Sequence, residues 1–327
     1  MAQAYARLPR PDYARHPAYG QLFGRPLLRV RVQALQTLWP ALREQFAVVR
    51  AWAPERTTAA AAGGGTLHDR LSRDGAVAIR LDDAEIAELR TRIRLSIEEV
   101  RRRKAEIPAR DRVFKHMVSA VSVKTHPEFI ESLRGALERH GVIEAASSYL
   151  GVQVNMRDAV KLQITDPNDH PWHDHFGDVG LRDPATTYMH IDSGPRFLKG
   201  MLYFNEVTRE NGPFSYVLGT NNVRMGRFEY MVRKANDHSG LDRCDPRMRQ
   251  LFSALPKFMQ LKSEFGNDLL DSSPEAAALL AREHQFTSRD GDLIVFDNNG
   301  VHRGMKVRTG ERHAMQIHLR PVTARRT

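Results

Sequence analysis

His190 and Asp192 stand two positions apart in the apolar run Tyr188-Met189-His190-Ile191-Asp192-Ser193. On a β-strand, residues two apart point to the same face. An imidazole nitrogen and a carboxylate oxygen would then lie side by side. That pair lacks one ligand to complete a 2-His-1-carboxylate facial triad, the donor set that holds non-haem Fe(II) and leaves coordination positions open. The stretch Phe296-Asp297-Asn298-Asn299-Gly300-Val301-His302 offers it, with a strand end, a turn and a histidine. His190, Asp192 and His302 are therefore the candidate metal ligands and the candidate catalytic centre. Alone, a His-x-Asp tripeptide is common in structural strands, so the weight rests on what accompanies it.

A second cluster competes. His170, His173 and His175 fall in Asp166-Pro167-Asn168-Asp169-His170-Pro171-Trp172-His173-Asp174-His175. His173 and His175 have strand spacing and would suit a cupin-like metalloenzyme that does not use 2-oxoglutarate. No Glu follows at ligand spacing, and the density of Pro and Asp argues for a loop. Trp172 and His173 are read as substrate-facing loop residues. His313 and His318 read as ordinary strand residues.

These side chains need a frame of strands. Residues 152–165 alternate in polarity, 197–207 and 214–218 read as strands, and Asn211-Gly212-Pro213 and Gly219-Thr220-Asn221 read as turns. Asp290 to Phe296 and Arg312 to Arg320 complete the set. Short strands parted by Gly, Asn and Pro turns indicate an antiparallel sandwich or barrel. Before them the chain is mostly helical. A strand over 75–81 leads into a helix from Ala84 to Ile107, capped by Asp82 or Asp83, with Ile86, Leu89, Ile93, Ile97 and Val100 on one face. A further helix is expected from His126 to about Leu150. Val32 to Trp52 also has helical spacing, and Ala59 to Gly65 reads as a mobile loop or lid hinge. Residues 223–285 break the strand pattern and read as a helical insertion between core strands, with Ser273-Pro274-Glu275 as a helix start. The expected organisation is an arm and helix over 1–70 and one domain over 71–327 that includes the 223–285 insertion, together one structural unit.

Composition sets bounds. The chain has 327 residues and a formal charge of +10. No basic-aromatic interleaving or recognition-helix pattern accompanies the charge, so it reads as a solvated Arg-rich surface favouring small anions, without a nucleic-acid partner. No apolar run is long enough to span a bilayer, and the N-terminus lacks a signal-peptide core, so no membrane association is expected. The single cysteine, Cys244, suits a reducing, cytoplasmic setting.

Taken in order, His190-x-Asp192, Glu210-Asn211-Gly212-Pro213-Phe214-Ser215-Tyr216-Val217-Leu218-Gly219-Thr220-Asn221, Gly291 to Asp297, His302 and Arg312 resemble the phytanoyl-CoA dioxygenase family. The resemblance covers about residues 70–320. It implies a double-stranded β-helix, or jelly roll, with the N-terminal helices packed on it. It implies Fe(II), 2-oxoglutarate and O2, and oxidation of an unactivated C–H by hydroxylation, desaturation or ring closure, with succinate and CO2 as co-products. It places Arg312 on the far carboxylate of 2-oxoglutarate, where a planar fork grips two oxygens. Arg303 and Arg308 are the fallback, and Gln163 and Tyr203 are further cosubstrate contacts. Gly304 departs from the small polar residue frequent in the family two positions after the distal His. Family halogenases have Gly or Ala where this chain has Asp192, so oxygenation is expected. The substrate is expected to be a small polar or anionic metabolite; Lys199 and Arg196 are within reach of it in sequence but read first as solvated surface residues.

Overall fold

The structure is a computed structural model that describes residues 65–108, 114–167, 187, 189, 190, 192, 197–222, 271, 277 and 279–322. The expected helix over 32–52, the loop at 59–64, the cluster His170, His173 and His175, Arg196, Cys244 and most of the 223–285 insertion lie outside these residues. The chain divides into two compact units. One spans Pro54–Pro171, Phe197–Asn222 and Glu283–Thr327; the other spans Met1–Ala53, Trp172–Arg196 and Val223–Arg282.

The first unit opens with α1 (Leu67–Asp74), whose Thr66 cap accepts the Asp69 N–H, and β1 (Ala76–Arg80). Helix α2 (Asp83–Ala105) follows, and the Glu85 carboxylate accepts the Asp82 N–H at its start. Its buried face contains Ile86, Leu89, Ile93, Ile97 and Val100, as the spacing predicts. Helix α3 (Phe114–Met117) leads into β2 (Val118–Ser122), a strand that the sequence pattern did not suggest. The helix expected to run to Leu150 is two, α4 (Pro127–Arg139) and α5 (Val142–Leu150). Gly141, at φ 67°, parts them, because a left-handed residue cannot continue a right-handed helix.

Strands β3 (Val154–Met156), β4 (Ala159–Thr165), β5 (Leu198–Tyr203), β6 (Phe214–Val217), β7 (Glu283–Phe286), β8 (Asp292–Asp297), β9 (His302–Gly304) and β10 (Arg312–Pro321) complete the unit. One sheet runs β1-β8-β5-β10-β4-β2, with β3 also on β10; the other runs β7-β6-β9. The pairings within both are antiparallel. On the large sheet Val77, Leu162, Leu202, Leu293, Met315 and Ile317 pack with the helices. The opposite face sends Ala76, Tyr203, Ile294, Phe296 and Ala314 against Phe214, Tyr216 and Phe286 of the small sheet. Two facing antiparallel sheets with helices on the outer face make the jelly roll that was expected.

Residues 283–285 were read as part of the insertion, yet with Phe286 they form β7. Their polarity masks the strand. Glu283, 6 % exposed at its side chain, takes a two-bond ion pair from Arg303 at 2.6 and 2.7 Å and a hydrogen bond from the Ser215 hydroxyl. In the second unit, Met189 and His190 are buried and Asp192 is partly buried. A helical turn there bonds the Ala281 N–H to the Ala277 carbonyl at 3.1 Å.

Candidate metal centre

Strand β9 delivers His302. Its register partner is Tyr216, whose ring stacks on the imidazole at 6.3 Å and 13°, while Phe214 and Phe296 lie 5.8 and 5.0 Å away. The residue is 5 % exposed. Its Nδ1 lies 2.9 Å from the Gly300 carbonyl oxygen. A carbonyl only accepts, so Nδ1 bears the proton and Nε2 keeps its lone pair for a metal.

The turn that aims this ring is tightly held. Asp297 is fully buried and accepts the Tyr149 hydroxyl at 2.6 Å and the Asn299 N–H at 2.9 Å. Asn221 donates to the Tyr149 oxygen at 2.9 Å. Burial, reinforced by the Asp297 charge, raises the Tyr149 pKa well above the ordinary phenol, so the hydroxyl remains a donor. The Gly300 N–H reaches the Asp297 carbonyl at 3.1 Å, the Val301 N–H reaches Thr220 Oγ1 at 2.8 Å, and Asn298 Oδ1 accepts the Phe197 N–H at 3.0 Å. A Cβ on Gly300 would come within 1.7 Å of the Tyr216 hydroxyl oxygen, so only glycine fits there. Tyr149, Asn221 and Asp297 were not singled out from sequence. They are far apart in the chain, and no local spacing joins them.

His190 is 5 % exposed. His190 and Asp192 of the second unit and His302 of the first make up a His-Asp-His group, the donor set that can hold non-haem Fe(II). Asp82, Glu85 and His140 form a second group of metal-ligating types. There Glu85 accepts the Asp82 N–H at 3.2 Å and pairs with His140 at 2.8 Å and Arg139 at 2.6 Å, so it serves as a helix cap and ion pair.

The expected cosubstrate residues share one sheet face. Gln163, Ala314 and Tyr203 form a single cross-strand row through β4, β10 and β5, and Arg312 is two residues along β10. Ala314 is a small floor between the larger side chains. The Arg312 guanidinium donates to the carbonyls of Gly212 and of Met305, the latter at 3.1 Å. No carboxylate pairs with it among the described residues. Desolvation pulls its pKa below the ordinary Arg range, against a smaller opposing effect of Tyr203. Tyr203 is fully buried, which raises its pKa, and its oxygen accepts the Phe214 N–H at 3.1 Å. Its own proton has no acceptor among the described residues, and neither does the Gln163 amide have a side-chain partner there. The fallback cations are otherwise engaged. Arg303 is paired with Glu283, and Arg308 is exposed beside Glu210 at 3.7 Å. Gly304 contributes only backbone. His313 bonds Glu311 at 2.8 Å on the helix-facing side of β10, whereas His318 lies on the Arg312 face.

The model of the phytanoyl-CoA dioxygenase family matches residues 71–314 of this sequence. No curated protein matches it. Among solved structures, EctD from S. alaskensis with bound Fe is 14 % identical with a TM-score of 0.47, over 83 % of this chain and 81 % of that one. The non-heme alpha ketoglutarate dependent carbocyclase SnoK from nogalamycin biosynthesis is 16 % identical with a TM-score of 0.43, over 81 % and 86 %. AviO1 from Streptomyces viridochromogenes Tue57 is 13 % identical with a TM-score of 0.41, over 79 % and 94 %. At these levels the likeness bears on neither substrate nor reaction. No helix among the described residues is long and apolar enough to cross a membrane.

Proposed function

Because the chain belongs to the phytanoyl-CoA dioxygenase family, whose members use Fe(II), 2-oxoglutarate and O2, we propose that it is an oxygenase acting on an unactivated C–H of a small polar metabolite, hydroxylating it or closing a ring or double bond. The observation that carries this is the donor set of His190, Asp192 and His302, two imidazoles and a carboxylate of the kind that holds non-haem Fe(II), in a chain that the family model matches over residues 71–314. Bound there, Fe(II) with 2-oxoglutarate and O2 supplies an oxidant strong enough to remove hydrogen from carbon, with succinate and CO2 as co-products. The chain's own residues do the rest. His302 presents Nε2 because the Gly300 carbonyl fixes the proton on Nδ1. Asp192 would hold the ion through a carboxylate oxygen and add one negative charge to the donor set. Arg312 offers a desolvated cation whose described bonds go only to carbonyls, which suits the far carboxylate of 2-oxoglutarate. The Tyr203 hydroxyl and the Gln163 amide, one row away, supply neutral donors to the same anion.

The test is O2-dependent release of succinate from 2-oxoglutarate with Fe(II), in wild type and in Asp192→Ala. The expected result is release in wild type and loss in the variant. Succinate formed at an undiminished rate by Asp192→Ala would remove Asp192 from the site.

A further inference from the structure

A buried hydroxyl stands beside Arg312 with nothing in the chain to receive its proton. Strand β4 sets Thr165 directly opposite Arg312 on β10, and Gln163 opposite Ala314. Val160, Leu162 and Ile164 pack in the core shared with the helices, so the residues between and after them, Gln163 and Thr165, turn to the other face. Thr165 therefore shares the face of Arg312, Gln163 and Tyr203. Register partners start about 4.5–5.5 Å apart at Cβ. The Thr165 Oγ1 is buried and has no hydrogen-bond partner among the described residues. The adjacent carboxylate, Asp166, is held by Lys104 at 2.8 Å, and Lys104 also donates to the Ile164 carbonyl at 3.2 Å, which fixes this end of the strand.

A buried hydroxyl without a partner is destabilising. Valine has the same shape, suits a strand as well and carries no such cost. The hydroxyl is thus left for a partner that the described chain does not supply, and its neighbours indicate the kind. Arg312 donates through Nη1 to two carbonyls, while its Nε and Nη2 have no acceptor among the described residues. The Tyr203 oxygen accepts the Phe214 N–H, which leaves its own proton to donate. Donors are therefore in surplus at this corner of the face. A carboxylate is acceptor-only, with about four lone-pair sites, and can take the Arg fork and a hydroxyl together.

We propose that Thr165 is a further cosubstrate-binding residue, whose hydroxyl donates to the far carboxylate of 2-oxoglutarate beside the Arg312 fork. This rests on the oxygenase reading above and adds a residue to it. Arg312 supplies the charge and the two-pronged geometry; Thr165 supplies a neutral donor at a position that the β4–β10 register fixes. Together they make binding depend on a second carboxylate, so the site selects a 2-oxo diacid over a 2-oxo monoacid.

Anaerobic titration of the Fe(II)-loaded full chain with 2-oxoglutarate, read by the visible charge-transfer band, tests it in wild type, Thr165→Val and Thr165→Ser. The control probe is 2-oxopentanoate, the same carbon chain without the second carboxylate. Thr165→Val is expected to bind 2-oxoglutarate about tenfold more weakly, and Thr165→Ser, which keeps the hydroxyl, within about threefold of wild type. Binding of 2-oxopentanoate by Thr165→Val is unchanged. The melting temperature of Thr165→Val stays level or rises, because an unpartnered buried hydroxyl has been removed. Undiminished 2-oxoglutarate binding by Thr165→Val, or equal weakening of both oxo acids, would overturn the assignment. If 2-oxopentanoate binds wild type too weakly to titrate, the contrast between the variants decides, and a Ser variant as weak as the Val variant overturns it. If Thr165→Val melts too low to titrate, Thr165→Ala takes its place with the same expected loss. Absence of the band in wild type is a separate failure: it removes the oxygenase reading, and this assignment with it.

Discussion

Replacing Arg312 by Gln would remove a cation whose described hydrogen bonds go only to the carbonyls of Gly212 and Met305. Each charge-assisted bond to a carboxylate contributes about 1.5–3 kcal/mol. If both prongs of the fork hold 2-oxoglutarate, about 3 kcal/mol or more depends on them, or roughly a hundredfold in Kd at about 1.4 kcal/mol per tenfold. Arg312→Lys keeps a point charge and loses the fork, so its loss should be nearer tenfold. Both variants leave backbone acceptors short of a donor, at roughly 1–3 kcal/mol of stability, so thermal melting is followed in parallel. The assay is an anaerobic titration of 2-oxoglutarate into Fe(II)-loaded protein, read by the visible charge-transfer band. The expected order of affinity is wild type, then Lys, then Gln. A Gln variant that melts normally and binds 2-oxoglutarate within about threefold of wild type would refute the assignment. Arg303 could not take over while paired with Glu283.

Four further outcomes follow from the packing. Asp297→Ala leaves the Tyr149 hydroxyl and the Asn299 N–H without their acceptor; at roughly 1–3 kcal/mol per buried orphan, unfolding free energy should fall by about 2–5 kcal/mol in urea titrations, with weaker Fe(II) binding. Gly300→Ala cannot place its Cβ 1.7 Å from the Tyr216 oxygen without moving the turn, and should lower iron affinity more than Tm, as read by Fe(II) titration beside a melt. Glu283→Gln strands the buried Arg303 charge and should cost about 3–5 kcal/mol, while Glu283→Met with Arg303→Leu should cost far less in the same denaturant series. Burial holds the His313 pKa below its ordinary 6.5, although Glu311 opposes this. The folded state thus prefers the neutral ring. The stability gained is present above pH 6.5 and is lost as pH falls through the lowered folded pKa. His313→Gln should flatten the stability curve in that acidic window.

What the sequence disclosed follows the range of its signals. His190 and Asp192 are two apart, and strand periodicity alone places them on one face. His302 became a partner through the strand, turn and histidine pattern, whose geometry is local. Arg312, Gln163 and Tyr203 came from the family resemblance, and the structure brings them onto one sheet face through a cross-strand register that no spacing reveals. The helix break at Gly141 was missed because a single glycine is weak punctuation inside an apolar periodic run. Strand β7 was missed because its buried Glu283 looks exposed until Arg303 is known to meet it. The support of the His302 turn was invisible for the same reason, with Tyr149, Asn221 and Asp297 joined only by the fold.

The central claim is that His190, Asp192 and His302 hold one Fe(II) that binds 2-oxoglutarate. It is tested most directly by anaerobic Fe(II) titration with and without 2-oxoglutarate, in wild type and His190→Ala. The expected result is a visible charge-transfer band that needs both components and is lost in the variant. Iron bound by wild type without a band, or a band of unchanged intensity and affinity in His190→Ala, would contradict it.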